Sequence, residues 1–343
     1  PKAIVVKKEI YESFDAARSW NEIQKATSTK NSKQIYRVFW YAAILILPLA
    51  VAAFFLYVSH FKVGERPNYI VNAYFESHKT MLELPGGQLV ALDTVKNVAE
   101  KLNQYGVLLE NGIGLDYTGV DSITNSKVEY HRIIVPRGGE YNLKLADGTN
   151  VWVFAESEIR FPIRFKGNKR EVYLEGEAYF EIAENKKSPF QVLAENVKIQ
   201  VTGTCFNVKA YASDKVIKTT LDEGSINIGH VQSRRPMQQM LPGQTAVYEK
   251  RSNVIKIKTD RYHDDASSWK SNRLIFRNAS LKEVLTTLSR HFDIEITVKN
   301  EKIASFTYDF VCKGNDLNYV LEVMQSITPV SFKKISEYTY TVE

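Results

Sequence analysis

The chain has 343 residues, 44% of them hydrophobic, enough to bury at least one sizeable core. Its net charge of +6 is modest, and no dense Lys/Arg stripe with interleaved aromatics occurs, which argues against a nucleic-acid binder. The six histidines pair with no Cys, Asp or Glu at metal-ligand spacing, so no metal or other cofactor site is read. The two cysteines, Cys205 and Cys312, fall in different predicted domains and are expected as two thiols.

In chain order, the head comes first. Within Glu9–Lys25, Ile10, Phe14, Ala17, Trp20 and Ile23 recur near helical spacing and predict one apolar stripe on a short helix. Such a helix is marginal alone in water. It is either a juxtamembrane stub or a helix that docks in a partner's groove.

Next comes an uncharged run from Val38 to Val58. At ~1.5 Å per residue it spans about 30 Å as a helix, the thickness of a bilayer's hydrocarbon core. The flank before it carries Lys25, Lys30, Lys33 and Arg37 with no acid after Glu22, whereas the flank after it has Lys62, Glu65 and Arg66. The positive-inside rule therefore places residues 1–37 in the cytoplasm and the long tail outside. Ala50-Val51-Ala52 has the small residues of a signal-peptide cleavage site, but six more apolar residues follow it and the preceding region is long for a signal peptide. Pro48 removes one helix hydrogen bond inside the span. It is either a tolerated kink or a weak point for an intramembrane protease.

From about Leu82 to Lys258 the hydrophobic period is two. Tyr141–Leu145 alternates, Asp147-Gly148 breaks the pattern, and Val151–Phe154 resumes it, a strong hairpin signal. Further strands are expected at Glu171–Leu174, Ala178–Ile182, Gln191–Leu193, Val197–Val201, Phe206–Tyr211, Ile217–Leu221, Ser225–Ile228 and Thr245–Glu249. Turn signals separate them, among them Glu175-Gly176, Glu223-Gly224 and Pro242-Gly243. Many short strands and almost no helix predict an all-β domain, either a sandwich or a solenoid-like stack. Before it, Val95–Tyr105 suggests one short helix, and Gly86–Asp93 resembles a weaker copy of the strand and turn at Leu143–Gly148.

The last stretch holds an internal repeat. Asn278-Ala279-Ser280-Leu281-Lys282-Glu283-Val284-Leu285 aligns with Asn315-Asp316-Leu317-Asn318-Tyr319-Val320-Leu321. Each half predicts a helix, with Ser280 and Glu283 as a capping box and Asp316 as an N-cap. Strands flank both, at Arg273–Arg277, Glu295–Lys299, Phe306–Val311, Val330–Ile335 and Tyr338–Val342. Two βαβ-like halves on one small sheet give an α+β domain. Trp269 is read as a packing anchor at the junction.

No nucleophile elbow, phosphate loop, zinc-protease motif or paired-carboxylate constellation occurs, which argues against an enzyme. Glu175, Glu177 and Glu181 share a strand face and are read as solvated or hairpin charges.

A string of motifs runs through the strand-rich stretch: Pro136-Arg137-Gly138-Gly139, Asp147-Gly148-Thr149, Gly176-Glu177-Ala178-Tyr179-Phe180-Glu181, Pro189-Phe190, Gly203-Thr204, Phe206-Asn207-Val208, Glu223-Gly224 and Leu241-Pro242-Gly243. It resembles the FecR family of sigma-factor regulators in the form common in Bacteroidetes, and the terminal repeat resembles the secretin/TonB short N-terminal domain. The resemblance covers roughly Pro136 to Glu343. It implies a single-pass protein of the bacterial inner membrane. Its expected parts are a cytoplasmic head (1–37), a transmembrane helix (38–58), a periplasmic linker (59–81), an all-β FecR-like domain (82–259) and an α+β domain (270–343).

The family further implies an anti-sigma factor. Its partners would be an extracytoplasmic-function (ECF) sigma factor, the signalling domain of a TonB-dependent outer-membrane transporter, and a site-2-type intramembrane protease that releases the head. The head is shorter than the family pattern, which implies that part of the sigma-binding region lies before Pro1; Phe14 and Trp20 are the sigma-contact candidates. Phe306, Tyr308, Tyr338 and Tyr340, on the strands expected to form sheet edges, are the transporter-contact candidates, and Pro48 is tied to intramembrane cleavage. Some members cleave themselves at the bond matching Gly203-Thr204. Here the alternative, that Gly203 marks a close approach of two backbones, is preferred. The competing function is a membrane-anchored periplasmic scaffold or glycan-binding module that merely uses these folds.

Overall fold

Seventeen strands build the larger part of the described structure. The computed structural model describes residues 79–92, 102–110, 114–120, 128–233, 235–259 and 273–343, all within one unit, Pro67–Glu343. The head helix, the Val38–Val58 run with Pro48, Trp269 and most of the helix expected at Val95–Tyr105 lie outside the described residues. Among the described residues no helix is long and apolar enough to cross a membrane.

The seventeen strands form two layers. In spatial order the first holds β2 (Leu89–Ala91), β1 (Met81–Glu83), β5 (Tyr130–Val135), β8 (Ser157–Pro162), the first half of β9 (Arg170–Glu181), β10 (Phe190–Ala194), β11 (Val197–Val201), β14 (Ile226–His230) and β15 (Gln238–Met240). The second holds β3 (Leu108–Glu110), β4 (Gly114–Asp116), β6 (Tyr141–Lys144), β7 (Asn150–Val153), the second half of β9, β12 (Cys205–Ala210), β13 (Val216–Glu223), β16 (Gln244–Glu249) and β17 (Val254–Thr259). From β10 onward the chain lays down two strands in one layer and then two in the other. The order across each layer therefore follows the order in sequence. The sequence left sandwich and solenoid-like stack open, and the structure combines them: a sandwich wound as a stack. One apolar core, including Leu82, Ile133, Leu143, Phe180, Phe206 and Ile228, fills the space between the layers. Alternation puts it there; in β9, Arg170, Val172, Leu174, Gly176, Ala178 and Phe180 all face inward.

One expected boundary is overturned. Glu175-Gly176 is not a turn between two strands; β9 runs through it as a single 12-residue strand. Up to Glu175 the strand pairs with β8, and beyond Gly176 with β7 and β12. Gly176 is the corner at which β9 passes from one layer to the other, with φ +100°. Ser157 crosses the corner and accepts the Glu177 N–H at 2.8 Å on its hydroxyl. Glu177 itself is no free hairpin charge: it accepts a hydrogen bond from Asn207 at 3.0 Å and faces Lys209 at 3.5 Å.

The C-terminal domain runs β18 (Arg273–Ser280), α1 (Leu281–Phe292), β19 (Glu295–Val298), β20 (Thr307–Lys313), α2 (Leu317–Ile327), β21 (Phe332–Lys334) and β22 (Thr339–Val342). Both helices start where the caps predict. The capping box of Ser280 and Glu283 closes in both directions, and Asp316 accepts the Tyr319 N–H. Their buried faces, Leu281, Val284, Leu285 and Leu288 on α1 and Val320, Leu321 and Met324 on α2, share one core. The single sheet is corrected to two: β18 pairs antiparallel with β20, while β22 lies between β19 and β21. The halves exchange strands instead of each closing its own βαβ unit. Two strands alone cover a helix poorly, and pooling strands from both halves gives one shared core.

Candidate functional site

The sites expected from sequence divide three ways. Phe14 and Trp20 lie outside the described residues. Of the transporter-contact candidates, Tyr308 and Tyr340 are buried core residues, Phe306 packs partly against the same core, and only Tyr338 is broadly exposed, at 57%. The Tyr338–Val342 edge is corrected: β22 is the central strand of its sheet, because parallel pairing with β19 covers the side left open by β21. Among the described strands β20 pairs on one side only, with β18. Gly203 and Thr204 lie between β11 and β12, not within a strand. The Thr204 hydroxyl donates to the Ser225 carbonyl at 3.0 Å, and a Cβ on Gly203 would meet Glu184 at 3.0 Å, so two backbones approach closely there. Cys205 and Cys312 are thiols and do not form a disulfide, and burial pushes the Cys312 thiol up to about 11.

Two polar clusters hold the sandwich together. In the first, the Asp147 carboxylate accepts hydrogen bonds from the Thr149 N–H and hydroxyl, closing the turn between β6 and β7. It also pairs with Arg170 at 2.6 Å. Arg170 donates further to the carbonyls of Ala183 and Ser188, both at 2.8 Å, and lies 5.5 Å over the Phe190 ring. In the second, His131 is fully buried, with Nδ1 2.7 Å from the Tyr117 hydroxyl and the Phe161 and Tyr105 rings edge-on.

Burial lowers the His131 pKa from 6.5 to about 4. A folded-state pKa below the unfolded value means that the stabilisation is fully present above pH 6.5. It is lost as the pH falls toward 4, to a total of about 3 kcal/mol. His131→Gln, which keeps an acceptor for Tyr117, should flatten this limb of the stability curve. Urea midpoints between pH 7.5 and 4.5 check it, and equal slopes in both proteins would refute the assignment.

The site that joins the two domains involves residues the sequence did not single out. Arg290, in the last turn of α1, is only 5% exposed. Its guanidinium stacks on the Tyr211 ring at 3.6 Å. It donates to Glu156 at 2.8 Å, Ser213 at 2.8 Å and Asp214 at 2.9 Å. Tyr211 is fixed in turn by its hydroxyl, which donates to the Ala155 carbonyl at 2.9 Å. The Arg290 carbonyl, one of those a helix end leaves without a partner, accepts the N–H of Gly138 at 2.7 Å. Gly138 has φ +72°, and a Cβ there would lie 3.2 Å from that of Asp293. Pro136-Arg137-Gly138-Gly139, a motif of the resemblance, is thus the loop on which the C-terminal domain docks. Lys218 and Glu283 add an exposed ion pair at 3.5 Å. No chemistry follows from these groups. An arginine locked between two carboxylates and a ring positions domains; it does not activate a nucleophile.

Comparison with known proteins agrees with this division. A family model described as FecR protein matches residues 131–227, and one described as FecR, C-terminal, matches residues 273–342. A comparison with curated proteins finds no match. Two solved structures, both of a proposed anti-sigma factor from Parabacteroides distasonis, at 1.65 and 2.50 Å resolution, are similar in fold. Each is 24% identical with a TM-score of 0.57, and the match covers 62% of this chain and 98% of that one. A chain that carries both regions in order is a regulatory protein and not an enzyme. Both of its matched regions are those of the FecR family.

Proposed function

We propose that this chain is a single-pass inner-membrane regulator of a sigma factor. Its head, through the face of Phe14 and Trp20, holds an ECF sigma factor in the cytoplasm. The Val38–Val58 run crosses the membrane, and the sandwich and C-terminal domain stand on the periplasmic side. Contact there with the signalling domain of a TonB-dependent transporter leads a site-2-type protease to cut near Pro48, which frees the head. The observation that carries this reading is the order of parts: an uncharged run of bilayer length with a cationic leading flank, followed by both FecR regions. The anti-sigma assignment of the Parabacteroides protein supports the partner class. Exposed Tyr338 and the one-sided strand β20 are the remaining transporter-facing features.

The test is co-purification from membranes with and without residues 1–37. A sigma factor should accompany the full chain and be lost with the head. Its absence from the intact chain would sink this reading in favour of a periplasmic scaffold or glycan-binding module, which needs only an anchor.

A further inference from the structure

Among the described residues the two domains are tied by polar groups. Their apolar cores are separate clusters with no residue in common. The junction instead includes Arg290 on Glu156, Ser213, Asp214 and Tyr211, the Gly138 N–H on the Arg290 carbonyl, a long contact at 3.5 Å from Arg137 to the Ile294 carbonyl, and the exposed Lys218–Glu283 pair. Interfaces of this kind between domains of one chain give way to relative motion by default. Arginine suits the junction because its planar fork ties two loops at once: 155–156, between β7 and β8, and 211–214, between β12 and β13.

The charges at this junction are placed for release. The Glu156 and Asp214 side chains keep 35% and 24% of their surface in water while docked, and Arg290 is buried by the other domain's loops and its own helix. When the domains part, all three charges return to water together and none is left buried without a partner. This differs from the Asp147–Arg170 pair inside the sandwich, where Arg170 cannot leave without stranding a carboxylate.

We infer that the Arg290 clasp is a releasable latch with a docked and a released state, and that engagement of the C-terminal domain by its periplasmic partner acts by opening it. The second half of this statement rests on the regulatory function proposed above. Release exposes Tyr211, which is buried in the docked state, and takes the Gly138 N–H from the Arg290 carbonyl at the end of α1.

Two measurements on the full chain test the latch. Spin labels at Lys186→Cys and Lys302→Cys, both exposed and one in each domain, are placed in a background lacking Cys205 and Cys312. In detergent micelles the docked chain should give one narrow inter-label distance. Arg290→Ala should lower the docked-to-released ratio by about tenfold or more, seen as a broad second population. Glu156→Gln combined with Asp214→Asn opens the same latch from the sandwich side and leaves α1 untouched. An unchanged narrow distance in both variants overturns the latch.

The coupling to signalling is read with a staple. The Cβ positions of residues 138 and 293 lie 3.2 Å apart, a few tenths of an ångström short of the ~3.5–4.5 Å of a disulfide, and a side chain at φ +72° is strained in the reduced and oxidised chain alike, so the reduced staple is the reference. Gly138→Cys with Asp293→Cys should therefore lock the docked state when oxidised. Transcription driven by the co-purified sigma factor should fall about tenfold in the stapled chain and recover with reductant. Normal output from the oxidised staple, with the sigma factor still captured by the head, overturns the role of the latch and leaves the regulatory function standing. Failure to capture any sigma factor counts against that function instead, while the distance measurement still decides whether the latch exists.

Discussion

Gly176→Ala is expected to prevent the sandwich from forming, a loss above about 4 kcal/mol. Two costs add at this position. A side chain at φ +100° is strained whatever the space around it, by about 1–2 kcal/mol. The added Cβ would also lie 2.2 Å from the Ser157 hydroxyl, 2.5 Å from its Cβ and 2.6 Å from its Cα. The last of these is backbone and cannot rotate away, so β8 and β9 would have to part. They are paired from Arg160↔Tyr173 to Glu158↔Glu175, and the corner between the two layers opens with them. Gly87→Ala separates the two costs. That glycine has φ +87° with nothing within 4 Å of the added carbon, so strain alone applies and about 1–2 kcal/mol should be lost. Adding Ser157→Gly to Gly176→Ala removes the hydroxyl and Cβ overlaps but leaves the clash with the backbone of residue 157, and it takes away the acceptor for the Glu177 N–H. Rescue should be partial at best. Denaturant unfolding of the three variants checks this order, and equal losses for Gly87→Ala and Gly176→Ala would show that β9 is not pinned at the corner.

The same corner shows what could be read from the sequence. Glu-Gly between two alternating segments has the composition of a hairpin turn, and nothing local distinguishes a turn from a corner. The distinction lies with Ser157, far along the chain, which occupies the space that a turn would leave to solvent. Where the governing contacts are local, the sequence was sufficient. Asp147-Gly148 closed the predicted hairpin, and the Ser280/Glu283 and Asp316 caps set the starts of both helices. Strand pairing in the C-terminal domain is not local, because period two says which face is apolar but not which edge is open. Tyr338–Val342 therefore looked like an edge, and it is covered by a parallel strand from the other half of the repeat. Arg290 was hidden for a related reason. A basic residue in the last turn of a helix ordinarily answers the helix dipole, and its partner Glu156 is 134 residues away. The legible traces were Pro136-Arg137-Gly138-Gly139 and Tyr211, which ends the stretch begun at Phe206, and their purpose emerges only when α1 is seen resting on them.

The second large effect is expected at Arg170. Arg170→Ala should cost about 3–5 kcal/mol, the range for breaking a buried ion pair from one side. Only 4% of the Arg170 side chain and 13% of that of Asp147 reach water, so the carboxylate left behind is poorly hydrated. The carbonyls of Ala183 and Ser188 lose their donor at the same time, and the segment from Ile182 to Phe190, which brings β10 back alongside β9, keeps only the Ala183 N–H on the Thr149 hydroxyl at 3.2 Å as its tie to the β6–β7 turn among the described residues. Arg170→Lys keeps the charge, but a single ammonium lacks the fork that reaches two carbonyls and a carboxylate together, so an intermediate loss is expected. The diagnostic variant is Arg170→Met with Asp147→Asn. Removing both charges leaves no buried ion without a partner, and the pair should be more stable than Arg170→Ala alone despite carrying an additional substitution. Tyr248, whose hydroxyl donates to the neutral amide oxygen of exposed Asn253 at 2.7 Å, offers a reference for the loss of a hydrogen bond without a stranded charge; Tyr248→Phe should cost about 1 kcal/mol. Urea unfolding of these chains gives the comparison. If the double variant is no better than Arg170→Ala, the penalty comes from the lost carbonyl bonds and not from the carboxylate, and Arg170 would be a tie between loops before it is half of an ion pair.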